Sequence, residues 1–420
     1  MKKIAILALI AAVVLMVSGC AKKAAPVAAQ PQVVTLTLMN WLAGAEDLYA
    51  DVAQSFNKQY PNLNFTFQAK PFEQYWVYID TLIQSGDAPD IFSALGTAST
   101  ELGKWVNQGA ILPLDGLIDT SGCLPFIVKD FMVNGKLYQT PALVGDYNFG
   151  IYNKDIFDKY QLSPPSSQAD LVKLCDFFVS KGIIPFYLAG KTIDQDNLIN
   201  LTAAYAPTWN DTFPFAKRTY TDPEYVAVLK LMQDWVKKGY FGKDYASLDA
   251  TAALTLYSQG KIAMRLGASY NFGDMKTAVP NTSVFFLKRA DGSDTPIATP
   301  SQNYSMCLNS KTKHKDEAVT LMKYLMTPEV LNKMIQQFQA VPFNSPASKG
   351  ITINDPDLQK VANAPNPAPC YMDQMAPIAA QGADIWTILI DTITKLTYSQ
   401  ITPDQAAKAF NDATDWTLVQ

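Results

Sequence analysis

Beyond residue 32, short β-branched runs alternate with stretches whose apolar residues recur every three or four positions. Residues 33–39 (VVTLTLM) alternate in part and predict a strand that ends at Asn40-Trp41. Residues 46–60 put Leu48, Val52 and Phe56 on one face and stop at Pro61, which predicts a helix. A strand over 64–68 follows. Helix 73–85 then turns Tyr75, Ile79, Leu82 and Ile83 inward, with Gly86 just past its end, where a left-handed residue closes a helix at least cost. Residues 87–92 lead into a buried strand, a helix reaches Gln108, and 111–115 complete the unit. The order β-α-β-α-β-α predicts a mostly parallel sheet covered on both faces.

The pattern changes at 131–157 (FMVNGKLYQTPALVGDYNFGIYNKDIF). Asn134-Gly135 lies between two β-prone runs, and both positions of a tight two-residue turn need φ > 0, which Asn and Gly tolerate best. Pro141 has no N–H for a ladder and biases Thr140 towards an extended backbone. A long extended passage over 142–152 follows, then Asn153-Lys154-Asp155 and a short helix. Further on, Ser167 to Asp170 has capping-box spacing, with Asp in place of Glu or Gln, before a helix to about Ser180. Residues 183–189 read as a strand. Asp222-Pro223-Glu224 opens a helix buried through Val228, Leu229, Met232 and Trp235. Residues 302–310 read as a strand, 315–326 as a helix, and Thr327-Pro328 as the start of another, with helices near 383–396 and from Thr402 onward.

These parts in this order resemble the bacterial extracellular solute-binding proteins of ABC importers, in the carbohydrate-type branch that includes maltose-binding protein. The resemblance rests on the helix ending at Phe56 to Pro61, on Ser85-Gly86…Pro89-Asp90, on Gly109…Leu112-Pro113-Leu114-Asp115, and on Gly135-Lys136…Tyr138…Pro141 with the later Tyr152-Asn153-Lys154-Asp155. It continues in Gly260-Lys261-Ile262-Ala263-Met264 and Gly267-Ala268-Ser269-Tyr270, where Ile262 replaces an Ala and Tyr270 stands where the family usually has Trp. It implies an α/β, two-lobe periplasmic-binding-protein-like fold, with mostly parallel sheets flanked by helices and three hinge crossings near 143, 305 and 340. The expected N-terminal lobe is 33–143 with 307–338, and the C-terminal lobe is 144–306 with 339–420. About 390 residues after residue 32 are too many for one core, which also points to two domains.

Residues 1–20 carry Lys2 and Lys3 and then an uncharged apolar run too short to span a bilayer comfortably, which predicts a secretory signal. It ends on Val17-Ser18-Gly19-Cys20, which resembles a lipobox with diacylglycerol on Cys20; an ordinary signal peptide with an incidental cysteine is the alternative. Residues 21–32, rich in Ala, Lys, Pro and Gln, read as a tether. The processed chain is thus expected outside the cytoplasm, lipid-anchored and monomeric.

Composition narrows the chemistry. The net charge of −4 argues against nucleic acid or an anionic membrane surface as partner. Cys123, Cys175, Cys307 and Cys370 show no metal-ligand spacing, so no zinc site, metal or cofactor is expected, and buried free thiols are favoured over disulfides. The single histidine, His314, sits in a charged stretch, and no G-x-S-x-G, H-E-x-x-H or phosphate-loop motif occurs, so no enzyme is expected.

Sugars present apolar C–H faces and hydroxyl edges, so a sugar site wants flat rings and hydrogen-bonding side chains. In an open α/β sheet such a site lies beyond the strands' carboxyl ends. The residues this places there are Trp41, Glu46, Gly96, Thr97, Asp146, Tyr147, Trp209, Tyr270, Asn271, Asn303, Tyr304 and Phe343. Trp41 sealing the sheet, Tyr304 packing the hinge and Glu46 serving only a helix start are the structural alternatives. Trp105 and Trp235, on apolar helix faces, are expected in the core. The expectation is capture of a sugar or oligosaccharide in an interlobe cleft and its delivery to ABC permease subunits. A ferric-ion binder, a receptor feeding a sensor kinase and a carbohydrate-active hydrolase stay open as alternatives.

Overall fold

A computed structural model describes residues 33–42, 44–96, 101–190, 195–213, 218–300, 304–364, 368–375, 379–380 and 385–418. The strands, in chain order, are β1 (Val34–Asn40), β2 (Leu63–Ala69), β3 (Ile91–Phe92), β4 (Ile111–Leu112), β5 (Met132–Val133), β6 (Lys136–Leu137) and β7 (Val144–Asn153). Then come β8 (Ile184–Phe186), β9 (Ile262–Ala268), β10 (Thr282–Phe285), β11 (Ile297–Pro300), β12 (Cys307–Asn309), β13 (Val341–Pro342) and β14 (Ala368–Pro369).

The first lobe is a sheet of order β2-β1-β3-β12-β4. Its β1, β2 and β3 run parallel, as the βαβ pattern predicts, while the returning β12 is antiparallel to both β3 and β4. Alternation along β1 separates two cores. Leu36 and Leu38 pack with Val52, Phe56 and Leu321, whereas Met39 joins Tyr75, Ile79, Phe92 and Trp105 on the other face. Asp90 ties the unit together: its carboxylate accepts from the Thr37 N–H and hydroxyl (both 2.8 Å) and from the Thr312 hydroxyl (2.5 Å). One acidic side chain thereby links β1 to the segment that returns after the second lobe.

The second lobe departs from the mostly parallel expectation. Its sheet, β14-β11-β7-β9-β8, is built around the ten-residue β7, which pairs antiparallel with β9, β10, β11 and β13; only β8–β9 and β11–β14 are parallel. The reason is β7 itself, which enters from the first lobe and serves as a common partner for strands returning towards the hinge. Helix Lys154–Lys159 follows at once, its N-terminus capped by Asn153 Oδ1, which accepts from the N–H groups of Asp155 (3.1 Å) and Ile156 (3.4 Å).

The expected hairpin is present: β5 pairs with β6, with Asn134 and Gly135 at φ 50° and 74°. The three crossings lie side by side. Thr140 N–H donates to Met306 O (2.9 Å), Gly145 pairs with Pro300 of β11, and it also pairs with Val341 of β13. After β13 the chain does not pass directly into the second lobe. Asn332, on helix Pro328–Phe338 of the first lobe, donates to Gly350 O (3.0 Å) and accepts from Thr352 N–H (2.7 Å). At Asp355 the bonding switches to the second lobe, through Lys276 Nζ (2.6 Å). The expected boundary at 339 therefore gives the second lobe a stretch that is bonded to the first.

Candidate functional site

Pairing registers fix which edges face the hinge. Cys307, the first residue of β12, pairs with Phe92, the last of β3, so the second crossing stands at the carboxyl ends of β3 and its parallel neighbour β1. In the second lobe β7 begins at the first crossing, and Asn148 pairs with Ala268, so the carboxyl end of β9 also lies on the hinge side. The residues just beyond β1 (Trp41) and β9 (Ser269, Tyr270) thus occupy hinge-facing edges of the two lobes.

On the second-lobe edge a polar cluster surrounds Tyr270. The residue is 48% exposed, and its hydroxyl meets both Asp196 carboxylate oxygens, at 2.8 and 3.0 Å. Asp196 is buried at the first turn of helix Asp196–Tyr205, and Arg265 Nη2 lies 3.8 Å from its Oδ2. The Arg265 guanidinium also sits 4.2 Å from the Tyr187 ring centroid. Asn200 Nδ2 donates to Asp196 O (2.9 Å) and reaches Gly267 O (3.4 Å), which fixes the helix against the end of β9. Ser269, fully buried, donates its hydroxyl to Asp146 Oδ1 (3.4 Å) and accepts the Tyr147 N–H (3.3 Å), joining this edge to the first crossing. Asn197 is completely buried with neither side-chain amide atom hydrogen-bonded, and Asn148 Oδ1 is likewise unsatisfied. Leaving such groups unmet costs about 1–3 kcal/mol each.

The structure sorts the sequence candidates. Tyr270 and Asp146 lie together at this edge. Asn271 is beside them, but its Oδ1 is engaged as acceptor of the Ala268 N–H (3.0 Å) at a helix start. Trp41, 9% exposed, stands on the first-lobe edge among Phe72, Tyr75 and Trp76. Glu46 is exposed, accepts the Gly44 N–H (2.9 Å), and borders an open groove of about 440 Å³ between helix Glu46–Gln59 and β2, along the sheet's outer edge. Gly96 is buried at φ 58°, and a Cβ there would come within 2.7 Å of Asp130 O, so backbone packing alone accounts for this glycine. Thr97, Asn303 and Cys20 lie outside the described residues.

Four candidates are packed inside. Tyr147 (1% exposed) and Phe343 (3%) pack together, ring centroids 5.9 Å apart, in the core that runs through the hinge. Burial raises the Tyr147 phenol above its ordinary pKa. Tyr304 (7% exposed) is pushed well up as well, first by burial and then by nearby Asp146. Trp209 is the clear correction. It is fully buried, with Phe213 and Tyr225 stacked at 4.4 and 4.3 Å and Tyr371 at 5.2 Å, and its Nε1–H donates to Thr219 O (2.7 Å). It lies on helix Pro207–Thr212, whose start is capped from a distance by the Glu224 carboxylate on the N–H groups of Thr208 and Trp209 (both 3.1 Å). Trp209 is a core residue, as are Trp105 and Trp235.

Asp196, Asn197, Asn200, Arg265 and Tyr187 escaped the sequence reading. Arg265 carried a signal, as the one charged residue inside an otherwise apolar strand (IAMRLGA). A charge there requires a buried partner.

Among the described residues no group of three or more His, Cys, Asp or Glu side chains could hold a metal ion. The profile of the family described as bacterial extracellular solute-binding protein matches residues 41–331. An uncharacterized ABC transporter extracellular-binding protein of Pyrococcus horikoshii is 25% identical over 308 residues, covering 70% of this chain and 69% of that one. A multiple sugar-binding protein of Streptococcus mutans is 22% identical over 345 residues, 79% of this chain and 80% of its own. Among solved structures, a chitin oligosaccharide binding protein superposes with a TM-score of 0.72 at 18% identity, over 92% of this chain and 99% of that chain.

Proposed function

Because the chain belongs to the bacterial extracellular solute-binding protein family, and is therefore a binding protein and not an enzyme, we propose that it captures a sugar or oligosaccharide between its lobes. The observation that carries this reading is the Tyr270 edge. An exposed ring stands over a buried carboxylate and guanidinium with unsatisfied amides near the hinge, and this combination suits a pyranose, with its apolar face and hydroxyl rim. The name of the Streptococcus mutans relative supports the choice of ligand. The lobes are assigned as 33–143 with 307–338, and 144–306 with 355–420, the stretch 339–354 bridging the two, and closure about the three crossings brings Trp41 of the first towards Tyr270 and Asp146 of the second. Thr97 and Asn303 are proposed as further ligand contacts.

Tyr270 supplies the stacking face. Asp196 holds the Tyr270 hydroxyl, and Arg265 balances the charge of Asp196, so the ring is set before ligand arrives. A ligand touching both lobes stabilises only the closed form, which an ABC permease then recognises and unloads. Residues 1–20 direct export, and diacylglycerol on Cys20 holds the processed chain at the membrane through the tether 21–32.

A thermal-shift screen of the purified protein against mono- and oligosaccharides tests the ligand class. A sugar at 100-fold over its Kd stabilises by about 2.7 kcal/mol; a panel without any shift would refute the sugar reading. Metabolic labelling with a fatty acid tests the anchor, since Cys20→Ala should abolish incorporation, and label retained by the variant would refute it.

A further inference from the structure

The first lobe carries a second exposed aromatic ring on its hinge-facing edge. Phe72 opens helix Phe72–Ser85 directly after β2, whose carboxyl end lies beside that of β1, where Asn40 pairs with Ala69. Nearly half of Phe72 is exposed (45%). It meets Trp41 and Trp76 at centroid distances of 5.9 and 5.5 Å, with interplanar angles of 90° and 82°. Trp41 and Trp76 are themselves 5.1 Å apart. Beneath them the fully buried Tyr75 donates its hydroxyl to Ser93 O (2.7 Å) and accepts the Ser93 N–H (3.0 Å), which pins the helix start to the turn after β3. The ring is therefore held on a rigid base at a hinge-facing edge.

Other exposed large apolar side chains among the described residues, such as Val77, Tyr78, Val179 and Ile390, lie farther along helices. Among the described residues, Phe72 and Tyr270 are the two exposed rings that stand at helix starts on the hinge-facing edges, one on each lobe. From this pair we infer that Phe72, backed by Trp41 and Trp76, is a second stacking subsite and that the ligand is at least a disaccharide, one ring seated on Tyr270 and another on Phe72. The inference rests on the sugar reading above and adds the length of the ligand. Each ring needs its own apolar face to rest on, and a ligand that contacts both edges draws the lobes together.

The test is calorimetric titration of the purified protein with glucose, xylose, galactose and N-acetylglucosamine, and with maltotriose, xylotriose, raffinose and chitotriose. Wild type should bind one of the longer sugars at least tenfold more tightly than its monosaccharide. Phe72→Ala should weaken that longer sugar at least fivefold while leaving the monosaccharide, held on Tyr270, unchanged. Phe72→Tyr, which keeps a ring, should retain wild-type affinity, and an unchanged melting midpoint in both variants excludes a folding defect. The proposal is overturned if Phe72→Ala binds the longer sugar as wild type does, if it weakens both sugars equally, or if the monosaccharide binds as tightly as the trisaccharide. Wild type binding none of the eight would overturn the sugar reading itself, an outcome distinct from a Phe72 variant that changes nothing.

Discussion

Truncating Trp209 to alanine should damage the fold and spare the site. The indole is fully buried, stacked on Phe213 and Tyr225 and bordered by Tyr220 and Tyr371. Removing a buried large aromatic ring from such packing costs about 3–5 kcal/mol, because the neighbouring rings are stiff and close the cavity only in part. The loss also strands Thr219 O, the acceptor of the indole N–H at 2.7 Å, for about 1 kcal/mol more. Trp209→Phe keeps most of the stacking and loses the N–H, so it should fall between the variant and wild type. Equilibrium unfolding in urea, followed by circular dichroism, measures the cost, and calorimetric titration on the same preparations measures affinity. The expected result is a large fall in the second-lobe midpoint with sugar affinity within a factor of two of wild type. Intact stability with a tenfold loss of affinity would refute the reasoning and return Trp209 to the binding surface.

Two further outcomes follow from the same packing. Tyr270→Ala should behave in the opposite way: a sugar face covering roughly 100 Å² of apolar surface contributes at most about 2.5 kcal/mol, close to two decades in Kd, with little change in the melting midpoint. Titration of wild type and variant side by side decides it, and equal affinities would remove Tyr270 from the site. Burial raises the Cys175 and Cys307 thiols above their ordinary pKa, so at pH 8 both stay protonated and should resist iodoacetamide in the native protein while reacting after denaturation. Mass spectrometry of the alkylated chain checks this, and modification of either in the native state would contradict the described core.

Local chemistry made much of the fold readable from sequence. Asn134-Gly135 could form little other than a tight turn. Thr402 and Gln405 close a reciprocal cap (2.8 and 3.2 Å). Ser167 accepts the Asp170 N–H as its spacing implied, although the Asp170 carboxylate turns to Ser166 and not back to Ser167. What stayed hidden depends on partners far along the chain. Helix Pro207–Thr212 depends on Glu224, which caps it from the following helix. Tyr147, Tyr304 and Phe343 stand in the hinge segments as expected, but only the packing of two lobes together shows them buried. Asp196 could not be linked to Tyr270 and Arg265, some 70 residues later in the sequence, before β9 and the helix were placed together.

The most direct measurement is a crystal structure of the protein with the sugar that the titrations select. The account predicts one pyranose ring stacked on Tyr270, with hydroxyls within hydrogen-bonding distance of the Asp196 and Asp146 side chains, and contacts from the first-lobe edge at Trp41 and Phe72. A sugar lying in the open groove between helix Glu46–Gln59 and β2, with the Tyr270 edge unoccupied, would contradict it.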